Sequence, residues 1–465
     1  MNVLRKEIQG VEQEVPLIDG KKVKYINFDN AASTPSLKRV LNKINEFVKF
    51  YSSIHRGSGY KSRLSTYYYE KAREKAGKFV GFDEKFHTVI FVKNATEAIN
   101  KLSYRLNLSK DSVIIISKME HHSNDLPWRD KVNVVHVPVN QDDGSLEIEV
   151  MKELIEKNKD KLSLVSVIGA SNVTGIVNPI YEIAEIAHKA GAYFMVDGAQ
   201  LAPHKKIEMG KPGDLNSIDF LSYSAHKMYA PFGTGVLVAR KDLIDNENAP
   251  EYKGGGTVKI VTSDEIRWDK EPYVDEAGSP NVVGSIALAE AINFFNEVGY
   301  EKIEKTEMML TEKLLITLLQ MSDVEIYGGR DTYNLKDRLG VIPFNIKGFP
   351  HALVASILAY EYGIGVRSGC FCAQPYVRDL LKINREKEVK CMKRVLANDR
   401  SDIPGMLRVS FGFYNEEEEV DVLIEALKNI IKNRKKYFDK YILDKEIGEY
   451  FPKRYKDNFK QYFEI

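Results

Sequence analysis

Between about residue 60 and residue 240, short β-branched runs alternate with amphipathic helical stretches, and this rhythm constrains the fold more than any other feature of the chain. The runs are TVIFV from Thr88, SVIIIS from Ser112, NVVHV from Asn133, LVSVIG from Leu164, YFMVD from Tyr193, IDFLSYS from Ile218 and GVLVAR from Gly235. A strand with one wet face alternates apolar and polar residues, whereas these runs are apolar on consecutive positions, as strands covered on both faces must be. The pattern predicts an α/β protein with a mainly parallel sheet and helices on each side. Ligands of such sheets bind at the strand ends, so polar residues there are the ones to examine.

The rhythm changes near residue 290. A long helical stretch runs from Ala287 to about Gln320, strands follow at VIPFNI from Val341 and MLRVSF from Met406, and a closing helix starts at about Glu416. This reads as a smaller α+β domain. A chain of 465 residues is about three domain units long, in keeping with one large and one smaller domain. The expected organisation is a large domain over residues 20–290, whose N-terminal segment contributes to the small domain, and a small domain over 291–432. A charged insertion occupies 376–404 and a basic, aromatic tail 433–465.

Composition excludes several classes of function. Hydrophobic residues at 43% against 29% charged give a sizeable core, which rules out wholesale disorder. Lys+Arg 67 against Asp+Glu 66 leave a net charge of +1, so no global field draws the protein to nucleic acid or to a membrane. The tail interleaves Lys and Arg with Tyr and Phe, a pattern that single-stranded nucleic-acid binders use. The commoner arrangement, taken here, is a helical tail that lays its aromatics on the body. Only Cys370, Cys372 and Cys391 occur, and an odd count in so long a chain argues for a reducing compartment, the cytoplasm by default. The opening MNVLRKEIQG has charges where a secretory apolar stretch would lie, and runs such as Val113 to Ile116 are far too short to span a bilayer.

The chemistry concentrates in SYSAHKMYAPFGTG, Ser222 to Gly235, where Lys227 follows an apolar strand with Ser224 and His226 beside it. An ammonium in such a cleft is disfavoured by desolvation, which makes the lysine a Schiff-base nucleophile. Another apolar strand ends in Asp197, followed by Gly198, Ala199 and Gln200. A carboxylate there can pair with the protonated ring nitrogen that pyridoxal phosphate needs to act as an electron sink. A phosphate needs backbone N–H donors and a small hydroxyl. NATEAINKL supplies both, with Thr96 at a helix start, although the same residues also make an ordinary helix cap. In MEHHSN, His121 and His122 lack the HExxH spacing of a helical zinc site, and an imidazole stacked on a planar ring suits a βα loop better.

MEHHSN, ASNVTG, VDGAQ and SAHKMYAPFGTG, in this order, resemble the large domain of class V, fold-type I pyridoxal-phosphate enzymes. Within that class the resemblance is to the group II (SufS-like) cysteine desulfurases. FDNAASTP at Phe28, SSIHRGSGYKS at Ser52 and DEAGSPN at Asp275 extend the likeness over nearly the whole chain. The resemblance implies that Lys227 carries the cofactor, Asp197 holds its ring nitrogen, Gln200 reaches its phenolic oxygen and His121 stacks on its ring. Thr96, Ser224 and His226 would hold the phosphate. Ser279 stands where the family usually has a threonine that reaches the neighbouring subunit's phosphate, which implies a homodimer. Asn172, Arg408, His55 and Arg367 fall in motifs around the substrate, and a guanidinium fork suits a carboxylate. GGGTVKIVTSDE from Gly254 lacks the setting of a dinucleotide loop and is an active-site flap in the resembled family.

In VRSGCFCAQP the family's Arg-x-Gly-x-x-Cys-Ala pattern places the reactive thiol at Cys372, with Arg367 and Gly369 in register, and Cys370 remains a rival. The resemblance therefore implies conversion of L-cysteine (or selenocysteine) to alanine with a persulfide on the protein, passed to a sulfur-acceptor protein for iron–sulfur or other cofactor assembly. The alternative is another class V enzyme, a lyase acting on selenocysteine or a cysteine derivative or an aminotransferase, without a catalytic thiol. The three cysteines also raise zinc or a disulfide switch, but C-x-C is tight for a tetrahedral site and no C-x-x-C completes it, so no metal is expected.

Overall fold

The computed structural model describes residues 3–244, 249–331 and 335–464. Its centre is a seven-stranded sheet of β1 (His87–Val92), β2 (Val113–Ser117), β3 (Asn133–Val137), β4 (Leu162–Ile168), β5 (Tyr193–Asp197), β6 (Phe220–Ser224) and β7 (Gly235–Arg240), in the order β1-β7-β6-β5-β4-β2-β3. The expected strands all form. All neighbours pair in parallel except around β7, which runs antiparallel to both β1 and β6.

The consecutive apolar residues divide between two cores. In β2, Ile115 packs into one cluster while Ile114 and Ile116 enter the other. In β4, Val165 and Val167 face the side opposite to Leu164. This is the period-two geometry of a pleated strand with both faces covered.

A third core lies around a four-stranded antiparallel sheet of Val324–Ile326, Val341–Ile346, Met406–Ser410 and Arg367–Gly369. Helices Tyr300–Leu319, His351–Tyr362 and Glu417–Lys432 pack on it. Ile26 and Phe28 of the N-terminal segment belong to this core, and Ile26–Asn27 pairs in parallel with Ile364–Gly365.

Three local readings change. The helical stretch expected to run unbroken to Gln320 is two helices, Val282–Val298 and Tyr300–Leu319. They meet at Gly299, whose φ of +78° no helical residue adopts. Among its described residues the tail is α-helical over Arg434–Lys440, then forms the hairpin Tyr441–Asp444 with Glu449–Pro452, its turn closed by Gly448 at φ +77°, and ends in a short 3₁₀ turn, Phe459–Gln461. It does lay aromatics on the body, with Tyr437 and Tyr441 buried. The charged insertion starts inside a packed helix, Gln374–Leu380, whose Tyr376, Val377 and Leu380 are buried. The next helix, Arg385–Leu396, buries no residue. Among the described residues no helix is long and apolar enough to cross a membrane.

Candidate active site

A cavity of about 270 Å³ opens where the C-terminal ends of the central strands meet the small domain. Strand ends are where a parallel sheet leaves backbone and side chains free of the ladder, and Lys227 and Asp197 are placed there by that rule. Lys227 closes the short 3₁₀ turn Ala225–Lys227 directly after β6, and Asp197 is the last residue of β5. Lys227, Asp197, Gln200, His121, Thr96, Ser224, His226, Asn172, Arg367, Cys372 and Arg408 all line this cavity.

The lysine Nζ donates to Gln200 Oε1 at 3.2 Å. Burial disfavours its ammonium and brings its pKa down to about 8, against the attraction of Asp197. Asp197 is buried and accepts the Ala199 amide at 3.0 Å, and desolvation raises its pKa. Burial also lowers His121 to about 3 and His226 to about 4, so both imidazoles are neutral near pH 7.

Thr96 is not the helix cap. Asn94 caps the helix Ala95–Arg105 by accepting the Glu97 amide, which leaves the Thr96 hydroxyl to bond Ser123 Oγ at 2.6 Å at the cavity mouth. Ser123 Oγ is also 2.8 Å from His121 Nδ1, and Ser224 Oγ accepts the Ala95 amide at 2.8 Å. One end of the cavity is thus a helix N-terminus with hydroxyls and a neutral imidazole, a donor set suited to a phosphate.

Arg408 and Asn172 line another part of the cavity wall. The buried Arg408 bonds Asp29 Oδ1 and the Asn172 carbonyl, each at 2.8 Å, and its Cζ lies 4.8 Å from the Phe371 ring centre. Arg408 Nε and Asn172 Oδ1 are buried with no hydrogen-bond partner among the described residues. Of the two, Arg408 Nε is a donor and Asn172 Oδ1 an acceptor, so they suit different groups of a bound molecule. Cys372 is exposed at the rim. Cys370 is tucked away, its thiol donating to the Pro404 carbonyl at 3.0 Å and pushed by burial up to about 11.

Two candidates lie elsewhere in this chain. Ser279 is exposed and lines a separate cavity with Gly233 and Asn281, and His55 is exposed and bonds Glu70 at 2.9 Å. The GGGTVKIVTSDE segment forms a hairpin, Val258–Val261 with Ile266–Trp268, that does not line the cavity. Among the described residues no group of three or more His, Cys, Asp or Glu side chains is placed to hold a metal ion.

Sequence reasoning missed Asp29, which anchors Arg408 and lies 3.6 Å from Arg367, and Ser123, which joins Thr96 to His121. Both sit inside quoted motifs, FDNAASTP and MEHHSN, but their partners are distant in sequence or differently oriented, so spacing carried no signal.

The aminotransferase class-V family matches residues 26–423. The chain belongs to this family. Among its relatives, a cysteine desulfurase of Haloferax volcanii is 32% identical, covering 88% of this chain and 90% of the relative. A probable cysteine desulfurase of Staphylococcus aureus is 34% identical over 91% and 96% of the two chains. The apo structure of a cysteine desulfurase from Thermococcus onnurineus NA1 superposes with a TM-score of 0.76 at 30% identity, covering 91% of this chain and 98% of that one. The family match spans both the seven-stranded sheet and the four-stranded sheet.

Proposed function

We propose that this class-V protein is a pyridoxal-phosphate-dependent cysteine desulfurase, which converts L-cysteine to L-alanine and retains the sulfur as a persulfide on Cys372. The observation that carries this reading is a single cavity lined by Lys227 and Asp197, by the buried guanidinium of Arg408 and by the exposed Cys372. Relatives named cysteine desulfurase over most of the chain support it.

The donor set fits the cofactor: Lys227 would hold its aldehyde carbon, Asp197 its ring nitrogen, Gln200 its phenolic oxygen and His121 its ring face, with Thr96, Ser224 and His226 at the phosphate. Bound there, it supplies an electron sink for the substrate's α-carbon. Arg408 orients the substrate through its carboxylate, and the Lys227 amine moves the α-proton, a role that its lowered pKa favours. Cys372 as thiolate attacks the substrate sulfur. The S–Cβ bond breaks, its electron pair stays with carbon and is protonated, and the products are alanine and Cys372–S–SH.

Ser279, outside its own chain's cavity, supports a homodimer in which it completes the site of a second copy. A protein acceptor for the persulfide, iron–sulfur or other cofactor assembly as its destination, and a cytoplasmic setting complete the proposal. Free cysteines fit that reducing compartment.

The test is to incubate the purified holoenzyme with L-cysteine, with and without reductant, and to quantify alanine, sulfide and persulfide on Cys372 and Cys370. Alanine and sulfide in equal amounts with persulfide on Cys372 is the expected result. Turnover that survives Cys372→Ala would overturn it in favour of a class-V lyase or aminotransferase without a thiol.

A further inference from the structure

The residue carrying the thiol sits in an unusual backbone. Leaving the strand Arg367–Gly369, the chain places Phe371 at φ +53° and Cys372 at φ +56° before entering the helix Gln374–Leu380. Two successive residues with side chains in the left-handed region are strained and persist only where surrounding contacts impose them. Three such contacts come from the large domain. Asn172 Nδ2 donates to the Phe371 carbonyl at 2.7 Å, and the His122 amide donates to the Cys372 carbonyl at 2.7 Å. Gln374 N–H donates to His122 Nε2 at 3.3 Å. His122 grips the chain twice, at the cysteine's own carbonyl and two residues beyond it, where its ring nitrogen accepts a first-turn amide that the helix itself cannot satisfy.

We propose that His122 is a positioning residue for Cys372: it fastens the thiol-bearing loop to the loop after β2, which also carries His121, and so holds the nucleophile at the cavity rim. The grip requires a neutral ring with Nε2 unprotonated. Burial lowers the pKa of His122, Arg129 and Arg378 act in the same direction, and Asp125 opposes them. The proposal rests on the desulfurase reading, and its test separates the two.

His122→Phe keeps a ring and the backbone bond but removes the acceptor, whereas His122→Gln returns an acceptor oxygen at similar reach. In the holoenzyme, His122→Phe is expected to retain the cofactor's visible spectrum and a KM for L-cysteine within about twofold. Its kcat for alanine should fall about three- to tenfold, the loss of one hydrogen bond, with His122→Gln recovering most of it. Hydrogen exchange at the Gln374 amide should quicken in His122→Phe and stay slow in His122→Gln. Unchanged kcat and exchange in His122→Phe, equal impairment of His122→Gln, or a fall in cofactor content that matches the fall in kcat would each overturn the positioning role. If the wild type releases no alanine from L-cysteine, the activity reading fails. The exchange at Gln374 then still decides whether His122 holds the loop.

Discussion

Lys227 Nζ lies 3.2 Å from Gln200 Oε1, and this bond points the amine across the cavity that Asp197 walls. With its pKa brought down to about 8, the amine gains its nucleophilic form as pH rises through that value. Cofactor-free protein mixed with pyridoxal phosphate should therefore acquire the visible band of the lysine adduct faster as pH rises, with a plateau above about 8. Lys227→Ala should show no band and lose alanine formation by about 10²–10⁴-fold. A band in Lys227→Ala, or a rate independent of pH, would contradict this assignment.

Asp29 pairs with Arg408 at 2.8 Å across 379 residues of sequence, and the proposed function gives that guanidinium the substrate's carboxylate. Arg408→Lys loses the planar fork and the bond to the Asn172 carbonyl, and the KM for L-cysteine should rise about 10- to 100-fold, as for loss of a charge-assisted hydrogen bond. Asp29→Asn should raise it less, because the guanidinium keeps its other contact. Steady-state kinetics on both variants decide the matter, and an Arg408→Lys enzyme with wild-type KM would remove Arg408 from the substrate site.

The pair Asp29–Arg408 also marks where sequence reading stops. The strands were legible because both-face burial writes itself as consecutive apolar residues, and Lys227 and Asp197 were legible because they end such strands. Contacts between residues far apart in the chain leave no periodicity, so the Asp29–Arg408 pair, the Ser123–Thr96 bond and the grip of His122 on the Cys372 loop emerge only from the fold. The same holds for the antiparallel β7, whose composition matches that of the sheet's parallel strands. The break at Gly299 and the tail hairpin turned on single glycines at positive φ, a weaker signal than the helical periodicity around them.

The two neighbouring thiols differ in environment. Cys372 is exposed, whereas Cys370 is bonded to the Pro404 carbonyl and pushed up to about 11. Iodoacetamide near pH 8 should modify Cys372 first, as peptide mass mapping would show. Cys372→Ser should abolish alanine and sulfide formation, and Cys370→Ser should retain both within a few-fold. Preferential labelling of Cys370, or its requirement for turnover, would reassign the nucleophile.

Stability should depend on the buried imidazoles. Burial lowers His226 from 6.5 to about 4 and His121 to about 3, so below pH 6.5 the unfolded chain takes up protons that the folded protein refuses. Their contribution is complete above 6.5 and is lost as pH falls toward 4. The melting temperature of cofactor-free protein should decline over that interval, and less steeply in His226→Gln. Parallel declines for wild type and variant would show that His226 charges as freely in the folded state as in the unfolded one.

Beneath His121, the buried Glu120 holds the floor of the site through bonds of fixed direction. Its Oε1 accepts the Ile168 amide at 2.8 Å and the Ser117 hydroxyl, and its Oε2 accepts Asn124 Nδ2 at 2.7 Å. Asn124 cannot reverse its amide to suit a new neighbour, because its Oδ1 already accepts Ser166 Oγ at 2.8 Å and Trp128 Nε1 at 3.3 Å. Glu120→Gln is therefore not conservative. Whichever way the new amide turns, its NH₂ faces a donor, Asn124 Nδ2 on one side or the Ile168 amide on the other. A buried donor left unpaired costs about 1–3 kcal/mol. Chemical denaturation should show a loss of that size in Glu120→Gln, and a comparable loss in Asn124→Asp, which sets a carboxylate against Glu120. Full stability in Glu120→Gln would mean that the network reorients, and that Glu120 does not fix the strand end from which Ile168 reaches the cavity.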